Sequence, residues 1–200
     1  DRIFQYVLSD HPELFYVEGY SYTKYTKGDE TVSFDFTGTY SVDAETAEAR
    51  RKEISAEAER ILGNIGGDWD DYAKVKAVYE TVILETDYDR NAPENQNIYS
   101  VFVNHRSVCQ GYAKATQYLL NRLGVECTLV TGTVETGETH AWNLVCVDGA
   151  YYYLDTTWGD ASYSLDDDTT LAANRPQINY DYLNVTTQEL LRTHTPSDSM

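Results

Sequence analysis

Between Ser107 and Trp158 the chain reads S-V-C-Q-G-Y-A-K-A-T-Q-Y-L-L-N-R-L-G and, after a short interval, T-H-A-W-N-L-V-C-V-D-G-A-Y-Y-Y-L-D-T-T-W. The first half is helical. Gly111, Tyr112, Ala113, Ala115, Tyr118, Leu119, Leu120 and Leu123 give a mostly apolar face, and Gly124 is placed to end it. Ser107 reads as the N-cap, which puts Cys109 in the first turn. Free amides and the positive end of the helix dipole there favour a thiolate and could hold an oxyanion. A free cysteine is also often a plain buried residue.

The second half turns that position into a site. Asp148-Gly149 between two runs of β-formers predicts a hairpin. With a two-residue loop, Val147 pairs with Ala150, and Trp142 falls opposite Asp155. Alternation puts His140 on the same face as Trp142, so His140 and Asp155 become diagonal neighbours within reach of a hydrogen bond. A one-residue slip would separate them onto opposite faces. An Asp beside a His fixes the tautomer and leaves the other ring nitrogen for a thiol. Cys109, His140 and Asp155 therefore read as nucleophile, base and orienter for acyl transfer.

V-C-Q-G-Y-A-K-A, H-A-W-N and Y-Y-Y-L-D-T-T-W, in that order, resemble the three signature blocks of the transglutaminase-like superfamily. The resemblance is strong from about Asp71 to Trp158 and most like the small bacterial transglutaminase-domain proteins, many of them secreted or surface-attached. It implies a papain-like α+β fold with the catalytic helix packed on an antiparallel sheet, and it carries the triad onto Cys109, His140 and Asp155. A papain-like site often has a side-chain donor ahead of the cysteine. Gln96 is one candidate, with Asn97, Ser100 and Asn104 as others, and Gln110 contributes at least a backbone amide. Trp142, Trp158 and Tyr112 are candidates for the substrate cleft, with core packing an equal expectation for the tryptophans.

The superfamily includes transglutaminases, cysteine peptidases, peptide N-glycanases and deamidases, so the reaction does not carry over. Water as acceptor gives a peptidase or amidase; an amine gives a crosslinking transglutaminase. Likeness to the small bacterial proteins favours hydrolysis. A surface binding module that keeps the fold without turnover is the non-catalytic alternative. The chemistry calls for no metal and no organic cofactor. The expected partner is a polypeptide, cell-surface or cell-wall peptide included.

With 33 Asp and Glu against 15 Lys and Arg, the formal charge of −18 argues against nucleic acid or an anionic membrane as partner. No apolar run is long enough to span a bilayer. The chain begins at Asp1 without a methionine, which suits a processed or trimmed chain from which a signal peptide has gone, and an extracellular or cell-surface location. Three cysteines do not make a disulfide framework, and Cys127 and Cys146, both in apparent strands, are expected as buried free thiols, with a disulfide between them as the alternative. His11, His105 and His194 are scattered and read as surface or structural residues.

Ahead of the core, residues 1 to about 9 predict an amphipathic helix stopped near His11-Pro12. Leu14 to Tyr25 and Thr31 to Tyr40 predict a hairpin around Lys27-Gly28-Asp29. Its tyrosines at 20, 22, 25 and 40 either cover a core or offer a carbohydrate or peptide surface. Asp43 caps a charged helix with the stripe Ile54, Ala58, Ile61, Ile65. Asp68 with Asp71 marks a second helix start, with Tyr72, Val75, Val78, Tyr79, Val82 and Ile83 as its buried face. Residues 1–66 are thus an N-terminal extension and 67–200 the transglutaminase-like core. Past Trp158, the triple Asp at 166–168 reads as a solvated loop rather than a calcium site, followed by an edge strand over Ile178 to Val185 and a last helical turn from Thr187 to Arg192.

Overall fold

Short polar side chains set most of the helix starts. Asp43 accepts from the Thr46 amide and Asp70 from the Ala73 amide, both at 2.7 Å. Asn97 accepts from the amides of Tyr99 and Ser100. Each contact satisfies a first-turn donor that has no partner inside its own helix. The computed structural model describes residues 2–161 and 177–197.

The helices are α1 (Arg2–Asp10), α2 (Ala44–Leu62), α3 (Asp71–Glu85), α4 (Ile98–Phe102), α5 (Cys109–Arg122), α6 (Thr156–Gly159) and α7 (Thr187–Leu190). The strands are β1 (Val17–Lys27) and β2 (Glu30–Tyr40), the short pair β3 (Asp87–Tyr88) and β4 (Arg106–Ser107), and β5 (Cys127–Val134), β6 (Thr139–Val147), β7 (Ala150–Leu154) and β8 (His194–Pro196). The last four form an antiparallel sheet in the order β7-β6-β5-β8. The architecture is α+β, with α5 packed on this sheet and an N-terminal helix and β-hairpin added to it.

One apolar cluster joins Ile54, Ala58, Ile61 and Ile65 from α2 and the turn after it to Val75, Tyr79 and Val82 of α3 and to Tyr112, Leu119 and Leu120 of α5. It continues to Val145 and Leu154 on the sheet. This removal of apolar surface from water is the main favourable term in folding. Asn143, the last residue of H-A-W-N, fixes the helix to the sheet. Its buried amide donates to the Ala113 carbonyl of α5 at 2.9 Å and to the Thr128 carbonyl of β5 at 3.3 Å.

Several sequence expectations are corrected. The second long helix is capped by Asp70, and Tyr72, in its first turn, faces solvent although the buried Val75 and Tyr79 follow it at i+3 and i+7. The first strand begins at Val17, since Pro12–Leu14 form a 3-10 turn. The hairpin aromatics do not cover a core: Tyr22, Phe34 and Phe36 are at least 60% exposed. Ile178 to Val185 is not a continuous strand. It makes single bridges at its two ends around a 3-10 turn, and β8 forms the sheet edge. Asp166 to Asp168 lie outside the described residues.

Candidate active site

Cys109 opens α5, but the N-cap is Val108, not Ser107. Ser107 is buried, and its hydroxyl is committed elsewhere, 2.7 Å from the Asn95 carbonyl oxygen and 2.7 Å from the Ser100 hydroxyl. Valine has no side-chain acceptor, so the amides of Cys109 and Gln110 are left for something other than a cap. Gly111 makes this approach to the preceding chain possible. A Cβ there would sit 1.9 Å from the Ser107 hydroxyl oxygen and 3.2 Å from the carbonyl oxygens of Asn95 and Asn97.

The Asp148-Gly149 turn sets the hairpin register, with Val147 opposite Ala150 and Asn143 opposite Leu154. His140 and Asp155 consequently meet, His140 Nε2 lying 2.7 Å from Asp155 Oδ2 with both side chains buried. Asp155 also caps α6, its Oδ1 accepting from the amides of Thr157 and Trp158 at 2.9 and 3.1 Å. The D-T-T-W run thus forms a helical turn that clamps the carboxylate. His140 Nε2 is taken by Asp155, which leaves Nδ1 for its interaction with the Cys109 thiol. Cys109 itself is half-buried beside Ala113, Leu129 and Ala141.

Sequence reasoning missed His194. It is fully buried, and its Nε2 lies 3.0 Å from the same Asp155 Oδ2. Its Nδ1 lies 2.8 Å from the Thr193 hydroxyl. With Nε2–H donating to the carboxylate, the ring is held at both nitrogens, by Asp155 on one side and Thr193 on the other. The residue arrives on β8, which docks against β5 at Gly132. A Cβ at Gly132 would meet the Thr195 carbonyl oxygen at 2.1 Å. That glycine inside a strand was the available signal for a close backbone approach.

Charge follows from these contacts. Burial alone would push the His140 imidazole down, but the Asp155 carboxylate and the Cys109 sulfur outweigh it and lift the pKa to about 10. Burial would raise Asp155, and it is instead held at about 2 by the His140 charge, the hydrogen bonds of both histidines and the Trp158 amide. His140 is therefore an imidazolium at neutral pH. Among the described residues, His140, Asp155 and His194 are also the grouping whose ligand atoms, all within 4.8 Å of one another, could hold a metal. Those atoms are already hydrogen-bonded to one another in a fully buried cluster that carries an imidazolium, so the residues fit a proton network better than a cation.

The other candidates divide. Gln96 and Gln110 line a cleft beside the cysteine. Asn97 caps α4, and Ser100 is spent on the Asn97 carbonyl and Ser107. Trp142 is not a cleft residue. It is fully buried with Val130 and Leu190 and stacks behind His140 at 6.0 Å, because its face of β6 is covered by α7. Tyr112 is likewise internal, its hydroxyl donating to the Thr86 carbonyl at 2.6 Å and lying 3.0 Å from Asp160 Oδ2. Trp158 is partly exposed and lies over the histidines, 4.6 Å from the His194 ring and 6.0 Å from His140. Cys127 and Cys146 are free, and only Cys127 is fully buried. Cys127 pairs with Val145, so Cys146, one residue further on, projects from the opposite face.

The sequence model of the transglutaminase-like superfamily matches residues 59–156, a span that holds Cys109, His140 and Asp155. Residues 59–156 belong to that superfamily. The mouse Kyphoscoliosis peptidase (Mus musculus) is 27% identical over 105 residues, which are 44% of this chain and 16% of that protein. The chain thus spans about one sixth of the length of the curated relative it matches. A solved transglutaminase structure is similar over 71% of this chain and 37% of its own, at 20% identity and a TM-score of 0.48. A structure of a candidate cysteine protease from Cytophaga hutchinsonii is similar over 70% of this chain and 65% of its own, at 12% identity and a TM-score of 0.44. His194 and the N-terminal 58 residues lie outside the transglutaminase-like match, so the buried cluster on Asp155 is completed by a segment beyond it.

Proposed function

We propose that this chain is a cysteine-dependent enzyme that cleaves peptide or glutamine amides through a thioester on Cys109, with water as the favoured acceptor. The observation that carries the reading is the buried His140 Nε2–Asp155 Oδ2 contact of 2.7 Å, which turns the remaining imidazole nitrogen to the cysteine at the helix start. The Cys109 thiolate attacks the amide carbonyl carbon, and the oxygen takes up the negative charge. The free first-turn amides, with Gln96 as a side-chain donor from across the cleft, stabilise that oxyanion. The C–N bond then breaks as His140 passes its proton to the departing amine. Water enters, His140 takes one of its protons, and the carboxylic acid leaves with the thiolate restored.

A peptidase among the similar proteins supports water over an amine as acceptor. The test is incubation with glutamine-containing peptide pools, with and without a primary amine, read by mass spectrometry. New termini or a gain of acid at glutamine that vanish in Cys109→Ala support hydrolysis. Amine incorporation in preference to hydrolysis would replace it with transamidation, and turnover that persists in Cys109→Ala would remove the cysteine mechanism.

A further inference from the structure

Beside Cys109 lies a cleft of about 1110 Å³, walled by α5 and β5 on one side and by the N-terminal α1 and β1 on the other. Leu129 ties it to the nucleophile, because it packs against Cys109 and also lines the cleft. Gln110 and Lys114, one turn apart on the helix that Cys109 opens, face into it. Among the described residues, Lys114 is the only cation that lines it. Its ammonium has no hydrogen-bond or ion-pair partner among the described residues.

The cleft's carboxylates do not neutralise it. Glu94 is held by Arg50 at 2.8 Å, Asp10 of α1 accepts from the Thr128 hydroxyl of β5 at 3.5 Å, and Glu18 comes from β1. Burial is the one influence on Lys114 and pushes its pKa down, with no contribution from a neighbouring charge. A partly desolvated ammonium without a counter-charge is an unfavourable arrangement that an incoming anion relieves. Asp10, Glu18 and Glu94 disfavour an anion beside themselves, which leaves Lys114 on α5 as the favourable position.

We propose that Lys114 is the carboxylate-recognising point of the substrate cleft, selecting peptides with a negative group close to the scissile amide, supplied by an acidic side chain or by a free C-terminus. This rests on Cys109 being the nucleophile. The probes are short peptides carrying an N-terminal chloroacetyl group or a C-terminal chloromethyl ketone, which sample the two sides of the scissile bond. In either, the Cys109 sulfur displaces chloride. Each acidic probe is compared with its neutral isostere, Glu with Gln and free C-terminus with amide, and every rate is divided by that variant's iodoacetamide rate. The wild type is expected to prefer the acidic member about fivefold at one position, the size of a modest ion pair. The arm in which this appears identifies the source of the carboxylate. Lys114→Met should bring the ratio to one, and Lys114→Glu should invert it.

Equal rates for every pair in the wild type, or a preference untouched by Lys114→Met, would overturn the proposal. A Cys109 inert to every reagent would instead defeat the proposed chemistry. The same peptides without the reactive group, titrated by equilibrium binding onto Cys109→Ser protein, then decide the role of Lys114. Tighter binding of the acidic member that is lost in Lys114→Met upholds it, and equal binding refutes it.

Discussion

Asp155 Oδ2 is shared by two imidazoles while Oδ1 holds two backbone amides, so the carboxylate is fixed from four directions. Removing one donor should therefore loosen the acid that orients His140. His194→Ala is expected to lower kcat about tenfold, the size of one lost hydrogen bond to a charged group, with KM little changed. Steady-state kinetics would show this split, whereas a merely structural role would shift the unfolding midpoint alone. The His140–Asp155 contact was legible because a tight D-G turn fixes register, and register fixes which side chains face one another. His194 was not, because its place depends on a strand that returns to the sheet from 39 residues away. Tyr112 was misplaced, and Trp142 was left open between cleft and core, for a related reason. Aromatics close in sequence to catalytic residues carry no mark of which face becomes the cleft.

At the scale of elements, the start of α5 and the seat of β8 matter most. Val108 leaves the first-turn amides uncapped, which costs stability and keeps those donors free. Val108→Ser should stabilise the protein by about 0.5–1 kcal/mol in chemical denaturation and also slow turnover, since the new hydroxyl competes for the same amides. A faster enzyme, or one unchanged in rate, would mean that those amides do not serve the reaction. Gly132→Val should push β8 off β5, because the added Cβ meets the Thr195 carbonyl oxygen. Turnover should fall toward the level of His194→Ala, with hydrogen exchange rising first in β8. The long helices were readable from apolar periodicity, with Asp43 as the cap of α2, while the packing of α5 on the sheet came from the resemblance to the superfamily. The partner of the exposed hairpin aromatics was not, since alternation along β1 and β2 does not say whether anything covers them.

Across the whole molecule, the buried ion pair links stability to pH. His140 is raised from 6.5 to about 10, so its contribution is complete below 6.5 and is lost as pH rises toward 10. Asp155 is lowered from 3.8 to about 2, so its contribution is complete above 3.8 and is lost as pH falls toward 2. Urea midpoints should thus be highest between pH 3.8 and 6.5 and decline on the alkaline side toward 10. Asp155→Asn should flatten that alkaline decline, because the carboxylate that raises His140 is gone. A slope that is the same in both proteins would show that the pair is not linked to folding.

The central claim is that Cys109, and not merely any thiol of this chain, is the activated nucleophile. The most direct test is the rate of iodoacetamide modification at each cysteine, read by peptide mapping in the wild type and in His140→Ala. Labelling of Cys109 well ahead of both Cys127 and Cys146, with that advantage lost in His140→Ala, is the predicted result. Labelling of Cys109 no faster than Cys146, which is half-buried as it is, would contradict the account.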